Sequence, residues 1–548
     1  MLSKKYLIGA MILLFLVVGL FSSFHVAKAS PVIKIGIFGP KSIPHYPHWE
    51  AGMYTAAEML KEQINGAGGW TIGGTTYTIE MYYADEYTQD PSRTADIEAS
   101  VDYLCSTEGV NFIIGGFRTE CVEYAIDYWH EQGYNASIPW FINGASTSEL
   151  LSTTVGHDHD SWKYLYRSMP TNSTALFSTF AASIKTYLCS DTGILTNLFG
   201  KVLWEGGPKQ VKTAVIMENL EWTKVMYYYL TTPAIYPGVL GPHVNVTYST
   251  RLYCADTQPD KFNPADVEAA IAAAKAAGCN LLIHVFSGST GKYLMQYYHD
   301  LQLPALPVGI NVVSQTKGMW TATGGKCEYE SHLMAMGTRS PLTPELTQFW
   351  DDFLAWSQAH LGITDNWPVY TAVGVGNALI TIKTAAQAVG SLNPEAIHNY
   401  LCPRANPSAQ PIKVLTGLAK FDATHDVYQS TYDYSAYWTG YARSWVVQWL
   451  DARIELVYPS KFLANMSDIS FVKVWCLPPW MYTLIWDQNY NGYVGTDDIT
   501  AVAKHFGARP GDARWDHKSD INFNDYVGGD DITAVAKNFG ARWTPPDP

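Results

Sequence analysis

The chain is short of positive charge. Its 36 Lys and Arg stand against 50 Asp and Glu, a formal net charge of −14. That balance argues against nucleic acid as a partner, because binding phosphate needs a basic face. Catalytic signatures are missing too. There is no G-x-S-x-G elbow, no H-E-x-x-H and no P-loop, so the expectation is a protein that is not an enzyme. None of the eight cysteines stands in a tight C-x-x-C pair, and no zinc site is expected from spacing. His157 and His159 flank Asp158, a trio that reads as a polar loop in preference to metal ligands. After residue 29 no run is apolar enough to span a bilayer.

What is present starts at the N-terminus. Lys4 and Lys5 precede an apolar run from Tyr6 to Phe21, then Ala27-Lys28-Ala29. This is the order of a secretory signal, cleaved after Ala29; left uncleaved, residues 1–29 would be a membrane anchor. No cysteine follows, so a lipid anchor is not expected there. The expected location is secreted or cell-surface. Eight cysteines in an exported chain then suggest disulfides, with Cys105 and Cys121 one plausible pair. Asn135, Asn172, Asn245 and Asn465 open glycosylation sequons, which suit an outer surface.

With 548 residues, 47% of them hydrophobic, the chain is too long for one core and too apolar to be disordered. At least three folded units are expected. The organising stretch is Val110–Glu120. The unbroken apolar Phe112–Ile114 reads as a strand buried on both faces, as in a parallel sheet. It stops at Gly115-Gly116, and Arg118, Thr119 and Glu120 follow, where open α/β sheets bind ligands. Ile138–Ile142 and then Asn143–Ser148 repeat the design. Strands at Val32–Phe38, Tyr77–Tyr83, Val211–Met217, Asn245–Tyr253, Asn280–Val285 and Leu306–Ile310 alternate with helices at Glu50–Ile64, Pro91–Leu104, Val122–Gln132, Thr174–Leu188, Trp222–Leu230, Pro264–Ala277 and Gly291–Leu301. Long helices near Pro344–His360 and Val369–Val389, a short one at Pro394–Leu401, and strands near Ala442–Trp449 and Ile454–Tyr458 complete the pattern. The alternation yields two α/β lobes with doubly wound parallel sheets.

Several stretches resemble the leucine/isoleucine/valine-type solute-binding proteins, the type I periplasmic-binding-protein group. They are Ile35-Gly-Ile-Phe-Gly-Pro40, Gly52 to Gly69, Asp90-Pro91, Phe112–Gly116, Gly144–Leu150, Tyr166–Pro170, Phe421-Asp422, and Trp445–Trp449 before Tyr458-Pro459, all in family order. The resemblance implies two lobes that hinge shut on a small polar solute for an ABC permease. It places lobe one at about residues 32–168 and 337–437 and lobe two at 169–336 and 438–460; the stretch 461–484, with Pro478-Pro479 and several aromatics, reads as a packed linker. The resemblance also implies ligand contacts from Thr119 and from Ser146 and Thr147 in the second loop. Arg118 departs from the small residue usual in the family; it is either a clamp on an anionic group or a solvated arginine. Tyr46 and Trp49 are candidates for an apolar wall. Glu221, Trp222 and Ser287 are the candidates from lobe two, where an acid would pair a ligand ammonium.

The C-terminus repeats itself without a gap: Asp487–Gly507 returns as Asp520–Gly540. Both loops fit the EF-hand calcium scheme. Asp487, Asn489, Asn491 and Asp498 supply side-chain oxygens in the first loop, and Tyr493 a carbonyl; Asp520, Asn522, Asn524, Asp531 and Tyr526 do so in the second. Gly492 suits the sharp turn, whereas Asp525 strains it in the second loop. Ile499, Val502 and Phe506, like Ile532, Val535 and Phe539, form an apolar face on the helix that follows. Residues 485–543 resemble dockerin domains, small all-α modules that bind two Ca2+ ions and a cohesin-like partner. The reading is thus a tethered solute-binding protein. The alternative is a ligand-sensing or structural component of a surface assembly that transports nothing.

Overall fold

The computed structural model describes residues 30–42, 48–202, 207–336, 343–427, 444–458, 475–478, 480–481, 486–488, 493–509, 512–514, 519–521 and 526–540. The signal segment, Tyr46, Gly492, Asp525 and the four loop asparagines Asn489, Asn491, Asn522 and Asn524 lie outside them.

Lobe one is built on a six-stranded sheet of order β2-β3-β1-β4-β5-β6. Its strands are β1 Val32–Gly39, β2 Trp70–Ile72, β3 Thr75–Asp85, β4 Phe112–Gly115, β5 Trp140–Ile142 and β6 Leu165–Arg167. All neighbours pair parallel except the β2–β3 hairpin. Phe112–Ile114 have no exposed surface, which explains their lack of alternation: helices cover both faces; in β1, Ile33, Ile35 and Ile37 are equally buried. Helix Tyr370–Val389 packs on helix Tyr54–Gly66 and on β4, so the chain returns to lobe one after building lobe two.

Lobe two carries the sheet β16-β15-β12-β11-β10-β8-β7, with β9 beside β8. The ranges are β7 Lys201–Val202, β8 Lys209–Glu218, β9 Val244–Leu252, β10 Leu281–Phe286, β11 Leu306–Asn311, β12 Ser331–Met334, β15 Trp445–Leu450 and β16 Arg453–Tyr458. A small hairpin of β13 Ile412–Val414 and β14 Gly417–Ala419 stands apart. The parallel expectation fails at both edges: β7 pairs antiparallel with β8, and β15 runs antiparallel to β12 and to β16. For β15 and β16 the reason is local: Asp451 and Ala452 both take positive φ, 51° and 62°, which makes the tight turn of a two-residue hairpin.

Two further expectations change. Pro91 does not open a helix. Asp90 accepts the N–H and hydroxyl of Ser92 instead, a local turn that delays the helix to Thr94–Asp102. No disulfide forms: all eight cysteines are free thiols, and Cys105 and Cys121 are separately buried in the lobe-one core. Cys121 Sγ donates to Tyr87 O at 3.7 Å, and burial pushes the Cys105 thiol up to about 12, so neither is poised to oxidise. Asn172 is also unsuited to glycosylation, since its amide caps helix Ser173–Ser183 and donates to Asp426.

Trp475, Leu477 and Met481 are buried, and Trp480 Nε1 donates to Leu303 O at 2.8 Å, so the described part of the 461–484 stretch packs on lobe two. In the C-terminal repeat, helices Thr496–Ala503 and Gly529–Lys537 pack together through Val502 and Val535. Phe506 and Phe539 instead stay about half exposed, because each helix ends before its phenylalanine. Reciprocal bonds, Gly507 N–H to Val527 O at 2.8 Å and Gly540 N–H to Val494 O at 2.9 Å, join the two units.

Candidate functional site

A cavity of about 690 Å³, its open mouth included, lies between the sheets. Lobe one contributes Thr88, Phe117, Arg118, Thr119, Gly144 and Ser146; lobe two contributes Leu220, Trp222, Ser287, Ile310 and Leu333; Tyr370 enters from the returning helix. The loop after β4 turns through Gly115 and Gly116, at φ 122° and 102°, which an L side chain tolerates poorly. It is braced from beneath by Glu86, a fully buried acid just past β3. Glu86 accepts the amides of Phe117 at 2.6 Å and Arg118 at 3.1 Å, and the hydroxyl of Thr88. Glu218, at the end of β8, does the same work in lobe two. It accepts Ser287 N–H at 2.8 Å, Ser287 Oγ at 2.5 Å and Gly288 N–H at 3.2 Å.

Burial raises both acids, Glu86 to about 7. An acid raised on folding stabilises the fold fully below its unfolded value of 4.5, and that stability is lost as pH rises to about 7. Glu86→Gln is therefore expected to flatten the fall in unfolding free energy between these pH values, as read by urea titrations. An unchanged slope would show that Glu86 carries no proton in this range.

The second loop is held by Arg167, which ends β6 with no exposed surface. Its Nε donates to Ala145 O at 3.1 Å, its Nη2 to Thr147 O at 2.8 Å, and its Nη1 pairs with buried Asp426. Burial still raises the Asp426 carboxyl despite this partner, so desolvation outweighs the pairing.

The predicted site residues fall out as follows. Arg118, Thr119, Ser146, Trp222 and Ser287 line the cavity together. Thr147 stands behind them, its hydroxyl donating to Thr119 Oγ1 at 3.1 Å. Arg118 is buried, not solvated. Its Nε meets Glu120 at 3.1 Å and its Nη1 donates to Thr88 O at 2.6 Å, while Nη2 makes no hydrogen bond among the described residues. Trp49 is not a cavity wall. It is buried in the lobe-one core against Tyr54 and Tyr83, where an apolar ring gains more than at a wet mouth. Phe117 and Tyr370 supply the rings instead. Glu221 is not an internal acid. Its carboxylate pairs with Lys224 at 2.6 Å, and its backbone N–H reaches Glu120 Oε1 of lobe one at 3.4 Å, closing the rim.

Sequence reading missed Thr88, Phe117, Tyr370, Glu86, Glu218 and Arg167. The available signals were Arg167, inside the Tyr166–Pro170 stretch, and Phe117, inside the organising stretch Val110–Glu120. No helix among the described residues is long and apolar enough to cross a membrane.

No family model matches the chain, and no curated protein does. Solved structures do. A solute-binding protein of an ABC transporter from R. palustris, in complex with benzoate, is 15% identical with a TM-score of 0.54 over 78% of this chain and 95% of that one. The branched-chain amino acid transporter substrate-binding protein of Streptococcus pneumoniae, in complex with isoleucine, is 14% identical with a TM-score of 0.54, over 78% and 99%. A leucine-binding protein from Thermotoga maritima is 12% identical with a TM-score of 0.51, over 78% and 97%. These neighbours are solute-binding proteins, not enzymes. The chain has the two-lobed α/β fold of the type I periplasmic binding proteins.

Proposed function

We propose that the chain is an extracytoplasmic solute-binding protein that captures a small polar solute, of the amino-acid, amide or short-peptide class, between its lobes for an ABC importer. One observation carries the reading: the cavity draws hydroxyls from both lobes and a buried guanidinium from one of them. Fixed donors of this kind offset the loss of water around a charged guest. The described lining holds Arg118 and no carboxylate, with Leu176, Trp222, Ile310 and Leu333 around it. That chemistry favours a carboxylate on an apolar body. Benzoate and isoleucine, bound by two of the structural neighbours, are both of this type.

Calorimetric titration with isoleucine and benzoate tests the class. Thr119→Ala is expected to weaken whichever binds by about tenfold or more, the scale of one hydrogen bond to a charged group. Unaltered affinity would remove Thr119 from the site. The rival reading, a sensing or structural component, is favoured by the C-terminal module alone. It predicts no permease and ATPase genes beside this one.

The C-terminal repeat acts in this proposal as a calcium-dependent, dockerin-like tether to a cohesin-bearing surface protein. Asp487, Asp498, Asp520 and Asp531 have no exposed surface, and Asp498 and Asp531 each accept a glycine amide at 2.7 Å. Four buried carboxylates gathered in so small a module are the hard oxygen donors that Ca2+ takes. Only two carboxylates per loop serve, so the affinity expected is weak, roughly 10⁻⁴–10⁻³ M. Chelation of calcium is expected to abolish a separate thermal transition of residues 485–543 and to leave that of the lobes in place. Loss of both together would contradict an independent module.

A further inference from the structure

Away from the cleft, at the edge of lobe one, four metal-ligating side chains converge. His159, His398, Cys402 and His425 bring one donor atom each to within 4.8 Å of one another. Cys402 Sγ lies 3.2 Å from His425 Nε2 and 3.5 Å from His159 Nε2. In a tetrahedral zinc site with ordinary bond lengths, donor atoms stand about 3.3–3.7 Å apart, so one edge is already at the required length and the other is only slightly short of it.

The surroundings support a built site. His425 Nδ1 donates to Leu165 O at 3.1 Å, which fixes the tautomer and leaves the Nε2 lone pair facing the thiol. Tyr166 stacks on the His425 ring at 4.5 Å and its hydroxyl meets His398 Nδ1 at 2.8 Å. His425 takes a left-handed φ of 63°, a strained choice for a side chain of this size.

We propose that His159, His398, Cys402 and His425 form a structural zinc site. The donors are three imidazoles and one thiolate, a borderline-soft set that suits Zn2+ and fills its four positions with no place for substrate. Zinc displaces the thiol proton to solvent and undergoes no redox change. His159 is far in sequence from the other three, and only His398 and Cys402 share a helix turn, so spacing concealed them. The ion would pin three segments: the turn His159–Trp162, the end of helix Pro394–Leu401, and the turn closed by the Phe421–Val427 bridge. Asp426, next to His425, holds Arg167 and through it the second ligand loop.

The test uses the full chain and Co2+ as an optical stand-in, beside zinc itself. Wild type is expected to show an intense sulfur-to-cobalt charge-transfer band and visible bands of a tetrahedral ion, and to retain one zinc per chain after dialysis. Cys402→Ser should lose the charge-transfer band. His159→Gln, at the partly exposed edge, keeps the fold and should lower zinc affinity about tenfold or more. Absence of a thiolate–cobalt band in wild type would overturn the site, as would zinc retention unchanged in a folded His159→Gln. The calcium repeat holds no thiol and cannot mimic this spectrum.

Discussion

Arg167→Met should cost about 3–5 kcal/mol of stability, because it strands Asp426 as an unpaired buried charge. It also removes donors from Ala145 O and Thr147 O. Urea unfolding of the lobes gives the number directly. Adding Asp426→Asn to Arg167→Met should recover part of the loss, since no charge is then left without a partner; the two carbonyls would remain unsatisfied. A single variant within about 1 kcal/mol of wild type would mean that Asn172, which also donates to Asp426, suffices as its partner.

The second large effect is expected at Gly144. A Cβ there would lie 2.5 Å from Gly116 O and 2.7 Å from Phe117 Cα. Both obstacles are backbone, so no rotamer change relieves them. Gly144→Ala must therefore push the two ligand loops apart and stretch the bond from Ala145 N–H to Gly116 O, now 3.1 Å. The cost should reach about 3 kcal/mol, the upper range for overpacking, and solute binding should fall by about a hundredfold, as a displacement of roughly 1 Å does elsewhere. Thermal unfolding and calorimetry on the same sample separate the two losses. Full affinity in a folded Gly144→Ala would show that the loops do not act as a pair.

Much of the frame was legible because burial on both faces leaves a plain mark. β10 and β11 are apolar throughout apart from His284, Gly309 and Asn311, and their limits match expectation to within one residue at each end. β6 and β12 escaped notice. At three and four residues they are too short for any period to show, and only their neighbours make them strands. The cleft was half legible. Hydroxyls just past glycines announce a ligand loop, but an aromatic residue looks the same in a core and on a wall, so Trp49 misled where Phe117 did not stand out. Glu86 and Glu218 were invisible for a physical reason: a glutamate at a strand end normally reaches water, and only the fold buries these two. The proposed zinc ligands failed in another way: only the fold brings His159 to Cys402, 243 positions further on, and to its neighbours His398 and His425.

The paired acids Glu86 and Glu218 carry one more consequence. Each half braces its own cavity loop from within, Glu86 in one and Glu218 in the other. The proposed capture of a solute should then spend little on ordering main chain, and its rate should follow the swing of the halves. New specificities can arise by exchanging wall side chains alone, with the underlying frame left untouched.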